Sequence, residues 1–186
     1  TGLRKQLFTY FAGSVAGEEK SDFAQNYRGA AGAEVVRNTI LNFYLGDKRA
    51  TDTSLDVDDP QIRTEQYRLG TEASDVITSL RKQLFTYFAG SVAGEEKVNF
   101  AQNYRGLSGS EVVRNTILTF YEGNRRATAT DLDVDDPQIR TEQYRLGTDA
   151  SDVITSLRKQ LFTYFAGTVA GEEKVNFAQN YRGLSG

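Results

Sequence analysis

The chain has 186 residues, a formal net charge of −3, and no cysteine, histidine, methionine or tryptophan. Without cysteine and histidine there is no disulfide framework, no thiol nucleophile, no zinc–thiolate site and no histidine general base. The mild negative charge argues against a nucleic-acid partner, which needs a concentrated basic surface. No apolar run approaches the ~18 residues that cross a bilayer, so we expect no membrane insertion.

An internal repeat dominates the sequence. The stretch Leu-Arg-Lys-Gln-Leu-Phe-Thr-Tyr-Phe-Ala-Gly begins at Leu3, Leu80 and Leu157, which defines a period of 77 residues. The period exceeds the 33 to 47 residues, approximately, of the common short solenoid repeats. Because the chain begins and ends inside a repeat, we expect it to be part of a longer tandem array. We divide it into a first module (1–70), a complete second module (71–147) and the first half of a third (148–186).

The first predicted element is an amphipathic helix over 74–90, with its copy over 151–167. In the copy, Val153, Leu157, Leu161 and Phe165 recur every four residues, which is the spacing of one helix face. A glycine, Gly90 or Gly167, ends each of these segments and suits a helix C-terminus. A second, shorter helix is predicted over 172–182, because two glutamates open it and a partial apolar stripe follows.

The third predicted helix covers 110–123, with its copy over 33–46. Val112, Val113, Thr116 and Ile117 fall on one helix face, although their β-branched side chains lower the intrinsic helix propensity. The fourth predicted helix covers 137–147, because Asp136-Pro137 resembles an N-cap followed by the first helical position.

Four helices in each module predict an all-α fold. Each module would consist of two helical hairpins, and successive modules would stack into a rod or superhelix. The eight aromatic residues of the complete module would form its core and the seam between modules, rather than a surface for stacking bases or sugars.

The acidic connector before the fourth helix is the one candidate metal site. Residues 131–142 carry acidic side chains at positions 1, 3, 5 and 12, as an EF-hand calcium loop does. The pattern departs from that loop at position 6, where glycine is expected and Asp136 stands, and at position 7, which is Pro137. In the other copy, Ser54 replaces the acidic residue at position 1. The alternative interpretation is a solvated connector that caps the fourth helix. The candidate calcium ligands are Asp131, Asp133, Asp135 and Glu142, and in the first module Asp56, Asp58 and Glu65.

These patterns predict a non-enzymatic structural or interaction protein. Near-identical modules would build a stalk, a filament or a multivalent surface scaffold, with protein partners or further copies of the module as its binding partners. The alternative is a modular binding or linker protein with weak calcium binding as its possible cofactor chemistry. We expect an extracellular or cell-surface location. An enzyme would require a polar pocket with perturbed carboxylates, for which the sequence offers no motif.

Overall fold

The computed structural model describes residues 2–182 and contains one antiparallel sheet of ten strands in chain order. Each strand pairs with the strands that precede and follow it in the sequence. A 3₁₀ turn at Glu122–Asn124 is the only helical segment in this described part of the chain. The strands are β1 (Leu7–Ala12), β2 (Lys20–Arg28), β3 (Val35–Tyr44), β4 (Gln61–Arg68), β5 (Arg81–Ala89), β6 (Lys97–Arg105), β7 (Val112–Tyr121), β8 (Gln138–Arg145), β9 (Arg158–Ala166) and β10 (Lys174–Asn180).

The predicted all-α fold is therefore wrong. The segments predicted as helices at 74–90 and 151–167 hold β5 and β9, and the helix predicted over 172–182 is β10. The segments at 33–46 and 110–123 hold β3 and β7, and 137–147 holds β8. Every predicted helical hairpin is a pair of antiparallel strands, so the helical-repeat architecture is replaced by a repeating β-meander.

Two features of the strands imitate helix spacing. Leu161 and Phe165 are four residues apart, and an even spacing places both side chains on the same face of a strand as well as of a helix. A β-bulge produces the odd spacings. Val113 pairs with Tyr104 and Thr116 with Gln102, so one extra residue between them turns a spacing of two into three. All nine strand pairs of the described residues contain such a register shift, and strict alternation is therefore hidden in the sequence.

The Asp136-Pro137 step begins a strand rather than a helix. The Pro137 carbonyl accepts a hydrogen bond from the Glu122 amide at 3.0 Å, and β8 starts one residue later. Proline lacks an amide donor but fits the first position of a strand without breaking the ladder. The Asp136 carboxylate accepts from the Asp133 amide at 2.7 Å and stabilises the turn before the strand.

The two faces of the sheet differ because the long connections fold over only one of them. The connections at 45–60 and 69–80, and their copies, lie over the face that carries Phe23, Leu41 and Phe85, which we call the covered face. The opposite face carries Ala24, Ile40, Gln66 and Leu84 in register and remains half-exposed; we call it the open face. The repeats therefore form one sheet with a single buried side.

The predicted module boundaries fall in the connections between β4 and β5 and between β8 and β9, and pairing of these strands carries the sheet across both boundaries. Thr1 and residues 183–186, which the first and third modules include, lie outside the described residues. Among residues 2–182 no helix is long and apolar enough to cross a membrane.

Two buried tyrosines, Tyr44 and Tyr121, direct their hydroxyl groups to backbone carbonyl oxygens. Tyr44 donates to the Ser21 carbonyl at 2.7 Å, and Tyr121 donates to the Val98 carbonyl at 2.9 Å. Burial raises the pKa of both phenols to about 12 from the ordinary value of 10.0. The neutral phenol is therefore the form that the fold accommodates.

We expect alkaline pH to destabilise the fold. A phenol whose folded pKa lies above its unfolded pKa contributes stability that is complete below pH 10.0 and is lost as the pH rises toward about 12. Denaturant unfolding at a series of pH values should show the loss over this interval, and Tyr44→Phe with Tyr121→Phe should reduce the slope. An unfolding midpoint independent of pH up to 12, approximately, would contradict this assignment.

Candidate functional site

The connections between repeats are anchored by a buried glutamine. The Gln25 amide nitrogen donates to the carbonyl oxygens of Thr71 at 2.8 Å and Ser74 at 3.0 Å. Its carbonyl oxygen accepts from the Ala73 amide at 3.0 Å. We call this arrangement the glutamine node. Because its side chain is 0% exposed, Gln25 replaces the water that the backbone of the connection would otherwise bind.

The second repeat contains the same node. Gln102 is also 0% exposed and bonds Thr148 at 2.8 Å, Ser151 at 3.0 Å and the Ala150 amide at 2.9 Å. Thr148 and Ser151 belong to the connection that leads to β9, so each node ties a strand of one repeat to the connection that enters the next. The node is therefore a device of the junction between repeats.

A glycine permits the close approach of the connection to the sheet. Gly147 has a φ of +148°, and a Cβ placed there would lie 2.2 Å from the Thr116 hydroxyl oxygen. The Thr116 hydroxyl is itself part of the contact, because it donates a hydrogen bond to the Leu146 carbonyl at 3.1 Å. Gly70 and Thr39 repeat the arrangement in the first module.

A second polar contact at the junction varies between repeats. In the first module Arg49 pairs with Asp22 at 2.9 Å and with Asp75 at 3.3 Å. In the second module Arg126 pairs with Asp152 at 3.2 Å and bonds the Asn99 amide oxygen at 2.8 Å. Both arginines thus link a strand bulge, a long connection and the next junction.

One carboxylate at the second junction is held in its charged form. Burial by itself would raise the pKa of Asp149, but hydrogen bonds from the Tyr104 hydroxyl and the Lys82 ammonium outweigh it, and the pKa is lowered. The Lys82 nitrogen lies 3.2 Å from the carboxylate. Glu72 occupies the equivalent position in the first module and pairs with Lys5. The junction therefore keeps an acidic residue beside a lysine in both copies.

The structure divides the predicted calcium ligands into separate groups. Asp131 is highly exposed and lies 3.6 Å from Arg125, whereas Asp133 accepts the Asp135 amide at 3.1 Å and holds a turn. Asp56 accepts the Asp58 amide at 3.0 Å in the same way. These aspartates lie in the connection at the edge of the covered face, and Asp135 and Asp58 are exposed.

The two glutamates lie inside the sheet instead. Glu142 is buried in β8, where its carboxylate forms an ion pair with Arg140 at 2.6 Å and accepts a hydrogen bond from the Tyr144 hydroxyl at 2.6 Å. Glu65 has the same two contacts with Arg63 and Tyr67. Within residues 2–182 no group of three or more acidic side chains is close enough to hold a metal ion.

A cleft opens between the β1–β2 turn and the 45–60 connection, with a volume of about 470 Å³. Its only ammonium, from Lys20, is occupied by the Asp59 carbonyl at 2.7 Å and by the Tyr44 ring. The equivalent cleft of the second repeat is about 210 Å³. Two of the carboxylates that line the larger cleft, Asp52 and Asp56, accept hydrogen bonds from backbone amides of their own connection.

The glutamine nodes and the arginine contacts were not predicted from the sequence. A polar residue between two aromatic residues, as Gln102 lies between Phe100 and Tyr104, is the pattern of one strand face with a buried polar centre. That signal becomes visible only once the segment is known to be a strand. Comparisons with protein-family models, with curated proteins and with solved structures find no match to this chain.

We expect Gln102→Ala to lower the free energy of unfolding by about 3 kcal/mol, because it leaves carbonyl and amide groups of the connection buried without partners. Gln179 is the matched control, since it occupies the equivalent position in β10 and is exposed. Gln179→Ala should cost less than about 0.5 kcal/mol. Denaturant unfolding of both variants measures the difference. Equal losses of unfolding free energy in the two variants would show that the glutamine node does not stabilise the junction.

Added calcium should leave the melting temperature unchanged within about 1 °C, because ligands that do not converge bind an ion weakly and a weakly bound ion adds little stability. A thermal melt with excess calcium and then with chelator makes the measurement. A rise of several degrees that Asp133→Asn with Asp135→Asn abolishes would instead establish a calcium site in the acidic connector.

Proposed function

We propose that this chain is a non-enzymatic structural repeat protein, a unit of a tandem array that acts as a stalk, a filament or a multivalent surface scaffold. The observation that carries the proposal is a buried cluster drawn from two repeats. Phe23, Leu41 and Tyr67 of the first module pack in one cluster with Phe85, Tyr104 and Val113 of the second. Joint burial of this kind couples neighbouring repeats mechanically.

The backbone supports the same proposal. β4 and β5 pair from Arg63↔Tyr87 to Arg68↔Arg81, and β8 and β9 pair over the equivalent residues. Hydrogen-bonded pairing at the boundary leaves no flexible linker between repeats, so an array of such modules would resist bending there. Stiffness is what a stalk or filament requires.

The exposed fractions of three equivalent phenylalanines show how much a preceding repeat contributes to the burial of the next. Phe8 is 43% exposed, whereas Phe85 is 4% and Phe162 is 6% exposed, although the surrounding sequence is the same. The difference arises because β4 and β8 place Tyr67 and Tyr144 beside Phe85 and Phe162, at ring distances of 5.4 Å and 5.7 Å. Each repeat thus completes the core of the next.

The repeated surface bears on the binding partners and the location of such an array. An array that presents one exposed face many times suits protein partners or further copies of the module, which it would bind by avidity rather than through one strong site. We place such an array outside the cell or on its surface, where reach and stiffness are useful. Surface protease accessibility on intact cells tests the location.

Phe85→Ala should lower the free energy of unfolding by about 4 kcal/mol, because it removes a buried ring from the contact between two repeats. Phe8→Ala is the matched control, since the same residue in the same local sequence lacks a preceding strand, and it should cost about 1 kcal/mol or less. Denaturant unfolding followed by circular dichroism and by tyrosine fluorescence measures both.

The unfolding curves also test the coupling of the repeats. Coincident transitions by both probes are expected for the parent chain, because the sheet and the shared cluster join the repeats into one cooperative unit. Two separated transitions, or equal costs for the two phenylalanine variants, would reject a mechanically continuous array.

A further inference from the structure

The open face carries pairs of arginines placed directly opposite each other on neighbouring strands. Arg68 on β4 is the register partner of Arg81 on β5, and Arg145 on β8 is the partner of Arg158 on β9. Tyr67 and Lys82 are on the covered face, where the Lys82 ammonium lies over the Phe85 ring, so their neighbours Arg68 and Arg81 point to the open face. The same pair therefore occurs at both junctions.

Further arginines on β2 and β3 and their copies extend the pattern. Arg28 pairs in register with Val35 on the open face, and Arg105 pairs with Val112 in the second repeat. Arg37 and Arg114 are exposed at the bulges of β3 and β7. None of these eight arginines forms an ion pair with any residue in the described 2–182 range: Arg28, Arg37, Arg68, Arg81, Arg105, Arg114, Arg145 and Arg158.

Carboxylates are confined to other parts of the molecule. The described strands contain three acidic residues: Asp22 lies at a bulge and pairs with Arg49, and Glu65 and Glu142 are on the covered face. The remaining acidic residues are in turns and connections. The open face is therefore positively charged although the whole chain has a net charge of −3.

Opposed arginines are unfavourable for the sheet itself. Side chains directly opposite on antiparallel strands are neighbours, and like charges at such positions destabilise the pair. Elsewhere the chain avoids this cost, since Arg63 and Arg140 each lie beside a glutamate at 2.6 Å. The arrangement costs stability at both junctions, and the strands place no carboxylate on this face to offset the cost. A ligand that supplies the negative charge explains it.

We propose that the open face binds an acidic polysaccharide, with the arginine pairs Arg68/Arg81 and Arg145/Arg158 holding its carboxylate or sulfate groups. Arginine presents a planar fork of donors that matches both groups in a bidentate manner. This inference does not depend on the structural role proposed above, because it rests on the charges of the open face alone.

Amide side chains beside the arginines favour a sugar polymer. Asn26 and Asn38 share a hydrogen bond of 2.7 Å and lie in the same lateral row as Arg68 and Arg81. Asn103 and Asn115 repeat the contact at 2.8 Å beside Arg145 and Arg158. Asn38 and Asn115 are buried, so the half-buried Asn26 and Asn103 are the amides that can donate to and accept from sugar hydroxyl groups.

Two other polyanions fit the face less well. Single-stranded nucleic acid is held mainly by aromatic stacking, and the row that contains the arginine pairs has amides and no aromatic residue. An anionic membrane is engaged by a broad apolar surface inserted between headgroups, whereas the centre of the open face is a half-exposed mixture of Ala24, Ile40 and Gln66.

The spacing of the pairs suits an extended polymer. Four inter-strand spacings separate the centre of one arginine pair from the centre of the next, which at about 4.8 Å per spacing is a lateral distance of roughly 19 Å. The second pair lies in the row of Leu84, so the two pairs are also offset along the strands by the step from Arg81 to Leu84. A single polysaccharide chain that lies across the strands contacts both pairs, and each additional repeat adds another pair at the same interval. Binding should therefore strengthen with the number of pairs through avidity.

Isothermal titration calorimetry with the 186-residue chain tests the proposal. The acidic probes are heparin, which is sulfated, and polygalacturonate, which is carboxylated, and dextran is the neutral control polymer. Arg68→Gln with Arg81→Gln should weaken binding about tenfold, and all four substitutions together by about 100-fold, because each pair contributes charge-assisted hydrogen bonds. Binding should also weaken as salt is added.

The control variant is Lys159→Gln with Lys174→Gln, which removes the same charge from two exposed lysines that belong to the covered face. It should change the dissociation constant less than about twofold, as a surface change away from the site does. Binding to only one of the two acidic probes identifies the acid group and supports the proposal. The absence of binding to both, or an equal loss in the lysine control, overturns it.

Two further measurements separate the alternatives. A DNA oligonucleotide or an anionic phosphatidylglycerol vesicle that binds more tightly than both polysaccharides, with the same dependence on arginine, would replace the proposed ligand class. The melting temperature of the Arg68→Gln, Arg81→Gln variant should stay the same or rise, because opposed charges are removed. A fall of several degrees would make the pair a structural element and overturn a binding role.

Discussion

Lateral pairing between neighbouring strands holds this sheet together. The sheet has no second sheet and no helix packed on it among the described residues, so a strand obtains its buried contacts from the strands beside it and from the connections that fold over one face. The three copies of one phenylalanine illustrate the dependence: Phe8 remains exposed, while Phe85 and Phe162 are buried beside β4 and β8. Stability in such a sheet is a property of adjacent strands and not of an isolated module.

Polar side chains hold the connections against the covered face, where a β-sandwich would have a second apolar layer. A connection of irregular backbone can lie over the sheet only if its carbonyl and amide groups find partners, because unpaired buried groups are costly. Gln25 and Gln102 supply these partners from the strand beneath, and Gly70 and Gly147 allow the backbone to reach them. The same connections lead from one repeat into the next, so the groups that satisfy the backbone also join the repeats.

Charge is separated between the two faces for a related reason. On the covered face the half-buried Arg63 and Arg140 lie beside Glu65 and Glu142, because an unpaired charge there would lose hydration without compensation. The open face keeps access to water and can hold arginines that oppose each other. A structural core and a charged binding surface can thus share the same strands, since alternate residues point to opposite sides.

Three properties can be read from the sequence alone: the 77-residue period, the absence of cysteine and histidine chemistry, and the aromatic composition of the core. The sequence did not determine the strands, because an even spacing such as Leu161 and Phe165 satisfies a helix and a strand equally, and bulges such as the one between Val113 and Thr116 hide the alternation. Which residues share a face depends on the register of the folded strands. Strand register places Arg68 opposite Arg81, and a folded connection brings Thr71 to Gln25. Neither contact can be predicted from the local sequence, because each joins residues that are distant along the chain.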